Sequence, residues 1–171
     1  MASRPRHAPR SPAPDKERLL SVLSAFQGRR IAVVADLVMD EFLNGRVERI
    51  SREAPVLILQ YEGLERRLGG GANAVHNIKT LGGEPVPVGF VGNDDTGRAL
   101  LGLLRKRGIP TQAVGRAAGY GTPLKTRILG GGFHSTRQQI VRMDRTVPLP
   151  ESSARWCEDH VRRALGRIGA V

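Results

Sequence analysis

The stretch LGGGANAVHNIKTLGG, residues 68–83, places three consecutive glycines at the start of a predicted helix. Glycine runs that open helices often let a phosphate or a sugar approach the backbone. The spacing matches neither the G-x-G-x-x-G of a dinucleotide site nor the G-x-x-x-x-G-K-S/T of a triphosphate-binding loop. Asn73, whose side-chain amide both donates and accepts hydrogen bonds, suits sugar hydroxyls. These residues are equally consistent with a sugar-binding loop and with a tight turn that needs glycine.

The segments around this stretch predict an α/β protein. Apolar runs at residues 31–36 and 85–92 are typical of buried parallel strands. Residues 94–108 begin with acidic and end with basic side chains, as the dipole of a helix favours. Apolar residues at helical spacing predict further helices over residues 15–26 and 151–169. This order of strands and helices indicates a layered α/β domain.

Four more segments predict an exposed sheet beside this domain. Residues 41–50 and 54–63 mix apolar and charged side chains in extended segments. Residues 122–129 and 137–144 alternate as strands do, and the glycines between them predict a hairpin. The fold expected from these patterns is an α/β domain with an antiparallel appendage.

The net charge of +11 is spread unevenly, because seven of the 27 Lys and Arg residues fall within residues 1–30, against two acidic residues there. A nucleic-acid-binding surface concentrates its charge and offers aromatic rings for stacking, and aromatic residues are only 4% of this chain. We therefore expect anionic small molecules rather than nucleic acid as ligands.

Other compositional features indicate a cytoplasmic protein without a metal site. Residues 1–13, rich in Pro, Arg and Ser, predict a disordered basic leader with no secretory signal. No apolar run approaches the ~20 residues of a membrane span. A single cysteine, Cys157, excludes an internal disulfide and a Cys-based zinc site, and the four histidines lack metal-ligand spacing.

Two groups of polar side chains are candidates for binding a sugar phosphate. Asp36 and Asp40 follow the first predicted strand, where a carboxylate can accept hydrogen bonds from neighbouring sugar hydroxyls. Capping of the next segment by Asp36 is the alternative. Lys125 and Arg127, on the predicted hairpin with Arg137 and Arg142, share a face of their strand and can hold a phosphate. A solvated hairpin is the alternative for these cations.

Taken together, these segments resemble the N-terminal half of ribokinase-like (PfkB-type) carbohydrate kinases. The resemblance covers residues ~17–171 and is carried by ADLVMDEFLNGRVERISREAPVLIL, LGGGANAVHNIKTLGG, VGFVGNDDTG, TPLKTRIL and RQQIVRMD. Within that family, the segments G-x-V-x-R-I-S-x-E-A-P-V and R-Q-Q-x-x-R-x-D are similar to those of heptose-7-phosphate kinases, the kinase part of ADP-heptose synthase.

The resemblance implies a fold and a reaction. The fold is a ribokinase-like αβα sandwich, here its N-terminal half over residues 14–171, with a small antiparallel β-sheet lid at about 41–63 that often forms a homodimer contact. The reaction transfers the γ-phosphate of ATP, with Mg²⁺, to the anomeric hydroxyl of D-glycero-β-D-manno-heptose 7-phosphate. A kinase of another sugar or nucleoside and a non-catalytic sugar-phosphate-binding or partner subunit are the alternatives.

The resemblance also assigns substrate-binding residues. Asp40 matches the sugar-binding aspartate and Asn73 the asparagine of the G-G-x-x-N signature, in which Gly69 and Gly70 let the sugar approach the backbone. The basic positions near the phosphate end of the substrate are matched by Lys125, Arg127 and Arg142.

The chain also departs from the family pattern. Ala35 stands where glycine is usual, and Gly71, His76 and Lys79 replace the usual small residues near the helix. The G-A-G-D motif with its catalytic aspartate and the N-x-x-E magnesium motif are absent from these 171 residues. We therefore expect a chain truncated before the ATP-binding half, without a catalytic residue and with negligible kinase activity alone.

Overall fold

The computed structural model describes residues 15–132 and 136–164. The predicted leader, residues 1–13, lies outside them. In chain order the elements are α1 (Lys16–Ser24), β1 (Arg30–Val34), β2 (Leu37–Ile50), β3 (Leu57–Gly69), α2 (Gly70–Thr80), β4 (Glu84–Gly92), α3 (Asp95–Lys106), β5 (Val114–Ala117), β6 (Leu124–Gly131), β7 (Gln138–Arg145) and α4 (Ser152–Ala164). Each predicted helix and strand is present within these ranges, and β5 is an additional strand; residues 165–169 of the last predicted helix lie outside the described residues.

The first sheet is parallel, with the strand order β1-β4-β5. β4 lies in its middle and is buried over most of its length. Its position explains its almost continuous apolar sequence, because both faces of a central parallel strand are covered by other elements. The prediction of parallel strands at residues 31–36 and 85–92 is therefore confirmed, but burial is confirmed only for the second, because β1 lies at the edge of the sheet and Ala32 is its one buried residue.

Helices cover both faces of this sheet. Phe90 and Val91 are consecutive in β4, so their side chains point to opposite sides. The ring of Phe90 lies 4.7 Å, centroid to centroid, from the ring of Trp156 in α4. Val91 instead belongs to the hydrophobic core that includes Val75 of α2 and Leu100 of α3. The layers therefore follow the order helix, sheet, helix, which confirms the predicted αβα class.

The second sheet contains four strands in the order β3-β2-β6-β7. The β2–β3 and β6–β7 pairs are antiparallel, as predicted, whereas β2 and β6 run parallel. The lid sheet is therefore mixed rather than purely antiparallel, and it extends beyond residues 41–63. It is larger because the predicted hairpin pairs with β2 rather than standing alone.

β2 carries the chain from the core into the second sheet. It starts at Leu37, directly after the bend that follows β1. Leu37 and Met39 are fully buried, whereas Ile50, at the far end of the same strand, is 65% exposed. One strand thus begins inside the hydrophobic core and ends in solvent, which fixes the second sheet to the α/β layers without a flexible loop.

The outer side of β1 and the helix α1 are less covered. Within the described ranges, β1 pairs only with β4, and its last residue, Val34, is 48% exposed. The apolar stripe predicted for α1 is present, but Leu19 and Leu23 are each about half-exposed and no residue of that helix is buried. No helix of the described residues is long and apolar enough to cross a membrane.

A hydrogen-bonded cluster joins α3 to the chain that enters β6. Asp94 caps α3, since its Oδ1 accepts hydrogen bonds from the Gly97 amide at 2.7 Å and from the Thr122 hydroxyl at 2.7 Å. The Gly92 amide in turn donates to the Thr122 hydroxyl at 2.8 Å. Burial opposes ionisation of Asp94, but the hydrogen bonds from Thr122 and Gly97 and the charge of Arg145 hold the pKa of its carboxyl below the usual value.

Replacing Thr122 by Val should destabilise the protein. The side chain is fully buried, and valine keeps its shape but leaves the buried Gly92 amide without an acceptor. We expect the free energy of unfolding to fall by about 2 kcal/mol, measured by urea denaturation. Thr122→Ser, which keeps the hydroxyl, is the matched control. No loss in Thr122→Val together with a clear loss in Thr122→Ser would show that the methyl group, not the hydroxyl, stabilises this cluster.

Candidate functional site

The second sheet brings the predicted substrate-binding side chains onto one face. Asp40 of β2 lies opposite Lys125 of β6, and Arg127 of β6 lies opposite Arg142 of β7. Cross-strand partners share a face of the sheet, as do alternate residues along each strand. We call this surface the charged face; it comprises Asp40, Phe42, Glu65, Arg67, Lys125, Arg127, Arg142 and Asp144.

The charged face consists of two neighbouring rows that cross the four strands. The first row alternates in sign and reads Arg67, Asp40, Lys125, Asp144. The second row reads Glu65, Phe42, Arg127, Arg142. Like charges directly opposite each other destabilise a sheet. The opposed arginines, Arg127 and Arg142, therefore need negative charge nearby, which the first row supplies in part.

The least exposed ion pair on this face joins Asp40 to Arg127. Asp40 Oδ1 lies 2.6 Å from Arg127 Nη1, and their side chains are 21% and 23% exposed. The guanidinium of Arg127 also lies 5.3 Å from the centroid of the Phe42 ring, and that of Arg67 lies 4.9 Å from it. The expected hydroxyl-binding carboxylate and one expected phosphate-binding cation are thus in direct contact.

The other predicted cations have separate surroundings. Arg142 pairs with Asp144 at 3.0 Å and is exposed, while Lys125 lines a neighbouring cavity. Arg137 pairs with Glu62 at 2.8 Å. Lys125, Arg127 and Arg142 therefore share one face of the sheet, but of these three only Lys125 lines that cavity.

A cavity of about 350 Å³ opens beside the charged face. Its lining includes Asp36, Val38, Tyr120 and Lys125. Burial, and after it the charges of Asp36 and Asp94, raise the pKa of Tyr120, so its hydroxyl remains a hydrogen-bond donor at neutral pH. Asp36 is exposed at the cavity, and no helix follows it for its side chain to cap. The cavity thus offers a carboxylate, a phenol and an ammonium group to a polar ligand.

The glycines of residues 69–71 are explained by close packing. A methyl group at residue 69 would lie 2.6 Å from both Cγ and Oδ2 of Asp40, and one at residue 70 would lie 2.8 Å from Val38 Cγ2. Gly70 also has a φ of +49°, which favours glycine. The tight-turn interpretation therefore accounts for these glycines, and the same packing places the start of α2 against the carboxylate of Asp40.

The departures from the family pattern at residues 35 and 71 occur at one point of contact. A methyl group at residue 71 would lie 2.3 Å from the Cβ of Ala35 and 2.8 Å from the carbonyl oxygen of Asp36. That carbonyl accepts a hydrogen bond from the Gly71 amide at 3.0 Å. Ala35 is accommodated here because residue 71 is glycine.

Asn73 lies on the first turn of α2 and is exposed. Within the described residues its side chain makes no hydrogen bond, so its amide is available to a ligand. His76 and Lys79, two further departures from the family pattern, are only partly buried on the same helix. Their bulk therefore does not fill the core beneath the glycines.

Sequence reasoning missed Phe42 and Arg67. Phe42 is two residues from Asp40, so the alternation of a strand would have placed its ring on the same face. Arg67 could not be placed in this way, because its position opposite Asp40 depends on the register between β2 and β3.

Metal ligands were not expected in this chain. Among the described residues, no group of three His, Cys, Asp or Glu side chains is arranged to hold a metal ion. Two further cavities, one lined by Val34 and Cys157 and one by Val47 and Gly130, contain none of the predicted site residues.

Replacing Gly69 by Ala should disturb the Asp40–Arg127 pair. The new methyl group would displace the carboxylate, so we expect the free energy of unfolding to fall by about 1–3 kcal/mol in a urea titration. Gly102→Ala, in α3 with nothing within 4 Å of the added methyl, is the matched control and should be neutral or stabilising. Equal stability of wild type and Gly69→Ala would contradict the close packing.

Solved structures resemble this fold over most of its length. Phosphofructokinase-2 from Escherichia coli, in complex with substrates and products, superposes with a TM-score of 0.58 at 21% identity, covering 84% of this chain and 42% of that one. The same enzyme in complex with fructose-6-phosphate gives a TM-score of 0.57 at 23% identity, covering 83% and 43%. These likenesses support the fold.

Curated relatives are more similar in sequence. The bifunctional protein HldE of Magnetococcus marinus is 42% identical over 79% of this chain, and that of Pelobacter propionicus is 39% identical over 92%. The chain spans only 27% and 32% of the lengths of these relatives. A profile of the pfkB family of carbohydrate kinases matches residues 29–157. The chain therefore belongs to the pfkB family of carbohydrate kinases.

Proposed function

We propose that this chain forms the sugar-phosphate-binding part of a heptose-7-phosphate kinase. The reaction is transfer of the γ-phosphate of ATP to the anomeric hydroxyl of D-glycero-β-D-manno-heptose 7-phosphate. The observation that carries this proposal is the charged face, where a half-buried carboxylate, Asp40, lies in one continuous surface with Lys125, Arg127 and Arg142. A ligand with hydroxyls at one end and a phosphate at the other is complementary to this surface.

The hydroxyl end of the substrate is assigned to the residues around the glycines. Asp40 accepts hydrogen bonds from sugar hydroxyls, and the exposed amide of Asn73 can donate to or accept from another. Gly69 and Gly70 bring the backbone at the start of α2 close to the sugar, and the absence of a side chain at Gly69 leaves room for the carboxylate of Asp40. Asp36, at the mouth of the cavity beside this face, is a further acceptor.

The phosphate end is assigned to the row of cations on β6 and β7. The facing arginines, Arg127 and Arg142, carry like charges, and a dianionic phosphate relieves their repulsion. Lys125 lies on the same face, two residues along β6 from Arg127, and adds a further positive charge. A sugar or nucleoside without a phosphate would leave these charges uncompensated, so this row favours a phosphorylated substrate over the alternatives.

The choice of heptose rests on sequence. The segments around Arg49 and Arg142 resemble heptose-7-phosphate kinases, and the curated relatives with the highest identities above are named bifunctional protein HldE. Those relatives are three to four times longer than the matched region, and the residues of this chain account only for the sugar-binding part of such a protein.

ATP and Mg²⁺ are proposed as the phosphoryl donor and its counter-ion. They supply the transferred group and neutralise the charge that develops on it. The described residues offer neither a triphosphate-binding glycine motif nor a cluster of metal ligands. No residue of this chain is therefore assigned to them, and its own side chains bind and orient the sugar phosphate.

Binding of the sugar phosphate tests this proposal directly. We expect heptose 7-phosphate to bind the 171-residue chain in isothermal titration calorimetry, and Lys125→Gln and Arg142→Gln each to weaken binding about tenfold. The control is Arg116→Gln, which should bind as wild type does. Arg116 is an exposed cation of β5, which belongs to the first sheet and not to the sheet of the charged face. Equal affinities in all three variants would contradict the assignment of the phosphate end.

The same preparation tests whether the chain acts alone. With ATP and Mg²⁺ we expect no heptose 1,7-bisphosphate, because these 171 residues contain no G-A-G-D motif to supply the base that removes the proton of the anomeric hydroxyl. Within residues 15–132 and 136–164, one edge of β1 is unpaired and the apolar face of α1 is half-exposed, which supports packing of a further polypeptide there. Bisphosphate formed at the rate of a complete kinase would contradict this part of the proposal.

A homodimer through the second sheet is proposed from its opposite face. There a row across all four strands is apolar and consists of Leu64, Leu43, Ile128 and Val141. Leu64 is 46% exposed and Val141 is 44% exposed, so this row can bury more surface in a partner. We expect sedimentation velocity to show a dimer that Val141→Glu dissociates, while Arg142→Glu on the charged face leaves it intact. A wild-type monomer at high concentration would refute the dimer.

A further inference from the structure

We infer that Arg127 acts on the substrate through Asp40, as a positioning residue that fixes the hydroxyl-binding carboxylate, rather than as a ligand of the phosphate. This inference rests on the proposed function, because it assigns a different role to one member of the same site. Lys125, Arg127 and Arg142 share one face of the sheet, but Arg127 is assigned a different role from the other two cations.

The carboxylate of Asp40 is held from two sides. Its Oδ1 lies 2.6 Å from Nη1 of Arg127. Its Oδ2 lies against Gly69, where a methyl group would be only 2.6 Å away. The guanidinium therefore sets the rotation of the carboxylate, and the start of α2 limits its movement on the other side. These two contacts fix the direction in which the remaining lone pairs of both oxygens point. A carboxylate fixed in this way accepts hydrogen bonds only from hydroxyls in one arrangement, which makes it selective for a sugar.

Arg127 is itself held in place more firmly than the other arginines of the charged face. Its side chain is 23% exposed, compared with 49% for Arg142 and 60% for Arg67. The ring of Phe42 lies beneath its guanidinium, at 5.3 Å from the centroid. A partly buried arginine that lies over an aromatic ring and already binds a carboxylate is suited to orienting that carboxylate, whereas a more exposed arginine can turn toward an incoming phosphate.

The two roles predict different couplings. If Arg127 binds the phosphate directly, its loss and the loss of Asp40 remove separate contacts at opposite ends of the ligand, and their effects on affinity multiply. If Arg127 acts through Asp40, removing it has no further effect once the carboxylate is gone. A double-mutant cycle therefore separates a positioning residue from a ligand of the phosphate.

The experiment measures heptose 7-phosphate binding to wild type, Asp40→Ala, Arg127→Gln and the double variant by titration calorimetry. We expect Arg127→Gln to weaken binding about tenfold and the double variant to bind no more weakly than Asp40→Ala. Arg127→Lys, which keeps the charge beside Asp40, should recover most of the affinity. The matched comparison is Arg142→Gln. Its fold-loss of affinity should multiply with the fold-loss caused by Asp40→Ala. Multiplication of the Arg127→Gln and Asp40→Ala losses would overturn the inference.

A second readout needs no ligand and separates this inference from the proposed function. The same four proteins are unfolded in urea, where an ion pair makes the double variant less destabilised than the sum of the single changes. Additive destabilisation would overturn the positioning role of Arg127 whatever the substrate is. Absence of heptose phosphate binding by wild type, with coupling retained in urea, would instead refute the proposed function and leave the Asp40–Arg127 pair established.

Discussion

The close approach of the glycine run to the start of β2 is the constraint on which the rest of the site depends. Gly69, Gly70 and Gly71 each leave too little space for a side chain, and each contacts a different residue between Ala35 and Asp40. This packing joins α2, the bend after β1 and the first half of β2 into one unit. Because β2 then continues into the second sheet, the orientation of the charged face is set inside the core rather than by the exposed strands.

The ion pair between Asp40 and Arg127 contributes more to the orientation of the two side chains than to the stability of the fold. Partly burying two charges costs solvation, and such pairs are often no more stabilising than apolar side chains of similar size. What the pair of Asp40 and Arg127 provides is a single orientation for each group, supported by Phe42 below and Gly69 beside it. Binding sites need such preorganisation, because a loosely held carboxylate must lose conformational entropy when the ligand arrives.

The sequence was sufficient to predict the local elements and the residue types of the site, but not their pairing. β4 and α3 were predictable because apolar runs and helical charge patterns report burial directly. The parallel pairing of β2 with β6 was not, since it joins segments that lie far apart in the chain. Asp40 and Arg127 are 87 residues apart, and alternation predicted only that Lys125 and Arg127 share a face. The resemblance to carbohydrate kinases assigned both Asp40 and Arg127 to the substrate, but it did not reveal their direct contact.

The contact between Ala35 and Gly71 has a consequence for how this site can change by mutation. The space between the two residues holds one methyl group, which here belongs to residue 35. A chain that exchanged glycine and alanine at these positions would have to lose the methyl of Ala35 first, because the reverse order passes through two methyl carbons 2.3 Å apart. Even then the carbonyl of Asp36, 2.8 Å from a methyl at residue 71, would have to move. The order of the two substitutions is therefore constrained, because residue 71 can gain a side chain only after residue 35 has lost its methyl group.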